Sequence, residues 1–150
     1  MEVPTKRFGV IKVDEGHILH FPEGLIGFPD YREFIVMDLD KGGFLKWLQS
    51  LDDESLGFVI IDPRVPFSDY DPVFAPRDLE SLEASHPEEL VLLSVVTVPQ
   101  DVKQMTVNLL APLVVNPVKR LGKQVITTDP RYTARHLVFL PLRNLMKRTG

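Results

Sequence analysis

Asp62, Asp69 and Asp71 lie close together in the chain, and carboxylates converging in one cleft can act as an acid and base pair when their environments separate their protonation states. A hydrolase built on these three is therefore one reading of the segment. The structural reading is the stronger. Asp62 precedes Pro63, Asp69 precedes Tyr70 and Asp71 precedes Pro72, positions from which an aspartate accepts turn hydrogen bonds from nearby N–H groups. Other chemistry is scarcer. His17 and His20 would fall on opposite faces of a strand, and His86 and His136 have no local carboxylate at ligand spacing, so no metal site is expected. Gly24 and Gly27 form a GxxG, but Pro22, Glu23 and Pro29 around it suit a turn better than an RNA-binding loop, which needs basic residues and flanking helices. Asn108 and Asn116 sit among apolar residues. A buried amide there must find partners, either in a structural network or, as a second reading, as a polar recognition point in an apolar groove. The expectation is a chain without catalytic residues, cofactor or metal.

Positioning any of these groups requires a core, and 150 residues with 44% apolar and 25% charged side chains suit one packed domain spanning 1–150. Absence of cysteine removes disulfides and thiolate nucleophiles and fits a reducing compartment. The start, MEVPTKRFGV, lacks signal-peptide regions and no apolar run reaches membrane-spanning length, so a cytoplasmic protein is expected. A net charge of −4 conceals an asymmetry: −2 over residues 1–37, −10 over 38–101 and +8 over 102–150. Either two parts of one fold attract each other, or the charges steer a partner. The acidic middle argues against binding a phosphate backbone there.

Thirteen prolines leave few stretches long enough for an ordinary helix and favour short strands joined by turns. Thr5–Val13 reads as one strand in which Gly9 marks a bulge or close contact. Ile18–Phe21 reads as a second, followed by an irregular loop over 20–34. Phe34–Leu39, Phe44–Leu48 and Phe58–Ile61 read as successive antiparallel strands, and Pro76–Leu90 as one or two short helical turns. Val91–Val98 is apolar on both parities apart from Ser94 and Thr97, the pattern of a strand covered on both sides. Met105–Val115 is β-rich but broken at Pro112. Lys123–Ile126 and His136–Leu140 complete the strands, before a basic tail, PLRNLMKRTG, at 141–150. About eight to ten short strands at this spacing specify an all-β fold: a small antiparallel β-barrel or sandwich with one or two short helices.

Six segments in this order, HILHFPEGLIGF (17–28), FLKWLQSLDD (44–53), GFVIIDPRVPFSDYD (57–71), TVNLLAPLVVNP (106–117), GKQVI (122–126) and RYTARH (131–136), resemble the flagellar assembly factor FliW family. The resemblance runs from about Phe8 to His136; the ending, VFLPLRNLMKRTG, departs from the family pattern. It implies a β-barrel-like fold and a partner-switching role: binding newly made flagellin before export, and sequestering the RNA-binding repressor CsrA once flagellin has left. From the charge balance no direct nucleic-acid binding is expected, and from the lack of a membrane-spanning apolar run no membrane partner. An acidic protein docked on an RNA-binding dimer would also oppose the approach of RNA phosphates. Contact with partners is expected from polar residues exposed among apolar ones on or beside these segments: Gln49, Asp62, Tyr70, Asn108 and Asn116, with Tyr70 as an aromatic anchor. The competing reading, a nucleic-acid-binding barrel, would use the basic last third with Tyr132 and Phe139.

Overall fold

Short apolar stretches punctuated by Gly, Pro and Asp become eleven strands and two helices in the computed structural model, which describes residues 1–149. Strands β1 (Glu2–Thr5) and β2 (Gly9–Lys12) form a separate antiparallel hairpin. The segment read as one strand over Thr5–Val13 is thus a turn followed by a strand. Thr5 Oγ1 accepts the Phe8 N–H at 2.9 Å and donates to the Gly9 carbonyl at 2.8 Å, and Gly9 takes a φ of 68° that side-chain-bearing residues rarely adopt.

The remaining strands are β3 (Leu19–His20), β4 (Glu33–Asp38), β5 (Leu45–Ser50), β6 (Gly57–Ile61), β7 (Val91–Thr97), β8 (Thr106–Val107), β9 (Leu113–Asn116), β10 (Leu121–Gln124) and β11 (His136–Leu137). Seven of them close a barrel in the order β7-β6-β5-β4-β3-β10-β9, with β9 pairing back onto β7. Pairing is antiparallel except between β3 and β10, which run parallel through Leu121 and His20. Closure leaves the ring without an unpaired edge. Strands β8 and β11 branch from β7 outside the ring, so of the stretch Met105–Val115 only the part after Pro112 enters the barrel.

Alternate residues divide between an inner and an outer core. Phe21, Phe34, Leu48, Ile60, Leu113 and Val115 meet from opposite sides of the ring and fill the barrel. Phe21 and Phe34 lie edge to face with centroids 5.5 Å apart. On β7, Leu93 and Val95 pack against this inner cluster while Leu92 and Val96 join an outer one, which explains the two-sided apolar pattern of that strand. Burying a side chain of this size contributes about 1.5–3 kcal/mol, so both faces are worth covering. The hairpin covers the outside of β4 through Val3, Val13, Ile18 and Ile35. The connection from β6 to β7, residues 62–90, covers the outside of β6, β7 and β9 with Tyr70 and Leu82, joined by Leu109, Val138 and Leu142. That connection contains helix α1 (Pro76–Glu80) and a helical turn at Pro87–Glu89.

At the chain end, the strand expected over His136–Leu140 stops at Leu137, and the basic tail is largely helical. After β11 the chain forms helix α2 (Phe139–Thr149); Gly150 lies outside the described residues. Leu142 is buried in the outer core, and Phe139 and Leu142 flank Leu45 and Met105. Pro141 is tolerated because first-turn N–H groups have no intrahelical acceptor.

Candidate functional site

The 62–90 connection has little regular structure, so its shape depends on side-chain bonds that reach the barrel. It begins at Asp62, whose Oδ1 accepts the Arg64 N–H at 2.9 Å. This is the turn bond expected from an aspartate before proline. Arg64 Nε then donates to the Tyr70 carbonyl at 3.2 Å.

Tyr70 is 2% exposed, and its hydroxyl donates to the Leu109 carbonyl at 2.7 Å. Its ring meets Tyr132 edge to face at 4.6 Å, while the Asp71 N–H donates to the Tyr132 hydroxyl at 3.0 Å. Burial, followed by the neighbouring Tyr132, raises the Tyr70 phenol above the ordinary tyrosine value, because both disfavour the phenolate. Asn108 supports the same junction: its Oδ1 accepts the Ala111 N–H at 2.9 Å and turns the chain around Leu109.

Two further fastenings follow. The Val73 carbonyl accepts the Thr127 hydroxyl at 2.6 Å and the Thr128 N–H at 3.1 Å. Asn116 Nδ2 donates to the Leu82 carbonyl at 2.8 Å, and its Oδ1 accepts the Val118 and Lys119 N–H groups, each at 3.2 Å. The adjoining Glu83 has a φ of 56°, a left-handed conformation uncommon outside glycine, so the Asn116 bond fixes a turn the backbone alone would resist.

Between these fastenings lies a cleft with a volume of about 500 Å³. Phe74, Leu79, Leu90 and Leu92 line it, with Arg64, Asp71 and Glu88 at its mouth.

The structure therefore gathers Asp62, Tyr70, Asn108 and Asn116 around one connection. Gln49 belongs elsewhere: 1% exposed on β5, it accepts the Trp47 indole N–H at 2.9 Å and donates to the Ser50 and Leu56 carbonyls at 3.0 and 3.2 Å. Of the five residues expected to be exposed, Asp62 is exposed, Asn108 is half-buried, and Gln49, Tyr70 and Asn116 are buried. The reason is the one a buried amide or phenol imposes: its polar atoms were needed to satisfy backbone groups of irregular segments. Thr127 and Tyr132 were missed as supports, since their partners are distant in sequence.

The three aspartates do not converge as an acid and base site would require: all are exposed, and of them Asp71 alone lines the cleft. Tyr132 packs edge to face on Tyr70, with Arg131 over its ring, and Phe139 is half-buried beside Leu142. Among the described residues, no group of three or more His, Asp or Glu side chains is placed to hold a metal ion, and no helix is long and apolar enough to cross a membrane. Arg131 bonds Asp129 locally and holds its carboxyl below the usual aspartate range. Of the ion pairs among the described residues, Lys123 with Asp78 at 3.8 Å joins the basic last third to the acidic middle; the charge asymmetry otherwise remains on the surface.

The model of the family described as FliW protein matches residues 2–138. The chain is 41% identical over 140 residues to the flagellar assembly factor FliW of Natranaerobius thermophilus, covering 93% of each. It is 34% identical to that of Moorella thermoacetica over 93% of this chain and 89% of the relative. A crystal structure of the flagellar assembly factor FliW superposes with a TM-score of 0.85 at 34% identity, covering 93% of this chain and 97% of that one.

Proposed function

Because this chain belongs to the FliW family of flagellar assembly factors, we propose that it binds flagellin and a CsrA-type translational repressor, coupling flagellin translation to flagellin export. The family match across nearly the whole chain carries this reading. Bound flagellin would occupy the protein until export; the freed protein would then hold the repressor and relieve repression. The role is one of binding, without catalysis and without a cofactor, and it is exercised in the cytoplasm.

The charge distribution supports antagonism of an RNA-binding partner. Residues 62–90 carry eight carboxylates against Arg64 and Arg77, and a surface of that sign next to a repressor lowers the local concentration of RNA phosphates. By the same physics the protein itself should give no shift of a flagellin leader RNA at moderate salt.

Asp62, which is exposed, is proposed to act on partners directly. Tyr70, Asn108, Asn116 and Gln49 would act through the segments they hold in shape. Alanine at Asp62 should lower binding, by about 1–3 kcal/mol for a true hot spot, with only a small fall in melting temperature from the lost exposed turn bond to Arg64, whereas alanine at the buried positions should lower both strongly. Calorimetric titration of the wild type against purified CsrA and against flagellin tests the whole reading. Heat of complex formation is expected with each, and silence with both would overturn it.

A further inference from the structure

We infer that the cleft between the 62–90 connection and strands β7 and β9 is a docking groove for a basic peptide segment that places an aliphatic side chain between its cationic groups. The inference rests on the protein-binding reading and adds the place and the chemistry of one contact. Three features of the cleft lead to it.

The first is shape. A 500 Å³ cleft floored by Phe74, Leu79, Leu90 and Leu92 has room for a short peptide stretch that seats one large aliphatic side chain on the apolar floor as an anchor.

The second is charge. Asp71 and Glu88 stand at the mouth and are exposed, and neither makes an ion pair among the described residues. The one cation at the mouth, Arg64, has its Nε committed to the Tyr70 carbonyl. Asp69, Glu80, Glu83 and Glu89 belong to the same connection, are exposed and make no ion pair among the described residues, so they add to its negative field. A lysine or arginine on either side of the buried aliphatic group therefore meets a carboxylate that is in no ion pair among the described residues; Arg131, paired with Asp129, acts on Asp71 only through its field.

The third is rigidity. Pro72 and Pro87 fix backbone angles in the walls, and Tyr70, Thr127 and Asn116 fasten those walls to the barrel. A preformed groove avoids the ordering cost that weakens docking onto mobile loops.

The test uses the full-length protein and a fluorescein-labelled peptide, Gly-Lys-Ala-Leu-Ala-Lys-Gly, followed by anisotropy at low and moderate salt. The wild type should bind it saturably and more weakly as salt rises. The double variant Asp71→Lys/Glu88→Lys should bind at least tenfold more weakly. A control with the same charge change elsewhere, Glu2→Lys/Asp30→Lys, should stay within twofold of the wild type. Replacing the peptide's leucine by serine should also cost several-fold, as the apolar floor requires. No saturable binding by the wild type, or equal losses in the two double variants, would overturn the groove. Titration of the wild type with CsrA and flagellin reports separately on the proposed function: silence there with a peptide response in the cleft would sink the function and leave the groove, and the converse would do the reverse.

Discussion

The Tyr70 hydroxyl donates a 2.7 Å hydrogen bond to the carbonyl of Leu109, 39 residues away in the chain, with both residues 2% exposed. It joins an irregular connection to the turn that precedes β9. Tyr70→Phe leaves a buried carbonyl without its partner while keeping the ring, and should destabilise the protein by about 1–3 kcal/mol. Chemical denaturation checks this. Burial of the same phenol, reinforced by the neighbouring Tyr132, makes stability depend on alkaline pH. The folded-state pKa of Tyr70 is raised above the ordinary value of 10.0, so its contribution is complete below about pH 10 and is lost as pH rises further. The wild type should therefore lose stability above about pH 10 more steeply than Tyr70→Phe, and parallel slopes would contradict the assignment.

Asn116 satisfies three backbone groups with one side chain. Asn116→Ala should cost about 2–4 kcal/mol, since the Leu82 carbonyl and two N–H groups lose their partners together. Asn116→Asp should fail to rescue it, because a carboxylate cannot donate to Leu82. Hydrogen exchange should show faster exchange at Val118 and Lys119 in the alanine variant. Unchanged melting in both variants would remove Asn116 from its structural role.

Gly122 owes its identity to packing. A Cβ there would lie 2.4 Å from the Phe21 ring, which is fully buried in the barrel. Gly122→Ala should destabilise by about 1–3 kcal/mol through overpacking. Combining it with Phe21→Leu should cost less than the two changes added, and a double-mutant cycle on denaturation midpoints measures that coupling.

Ser94 faces the outer core on β7 with a fully buried hydroxyl that has no hydrogen-bond partner among the described residues. An unpaired buried hydroxyl is unfavourable, so Ser94→Ala should leave the melting temperature unchanged or raise it, with a gain of up to about 1–2 kcal/mol. A clear loss would indicate that the hydroxyl is satisfied in solution.

The β-rich class, most strand positions, the helical turns of the 76–90 region and the covered nature of Val91–Val98 follow from the chain because they rest on local rules. Side-chain parity along a strand and the backbone limits of proline, glycine and aspartate act over a few residues. Asp62 was legible for the same reason, since its partner, Arg64, is two residues away. The hairpin turn at Thr5 and Gly9 shows the limit of even local reading, because parity alone did not distinguish a bulged strand from a turn. The helix at 139–149 depended on Met105 and Leu45 offering a surface for Phe139 and Leu142, and a ten-residue pattern carries no record of that surface. Tertiary structure also decided which strands close the ring, through β9 on β7 and β10 on β3. It decided as well that Gln49, Tyr70 and Asn116 turn inward. A polar side chain between apolar neighbours has the same sequence signature whether it waits for a partner or satisfies a backbone group. The fold places the Leu109 and Leu82 carbonyls beside Tyr70 and Asn116, and the cost of leaving such groups unpaired out of water selects the inward arrangement.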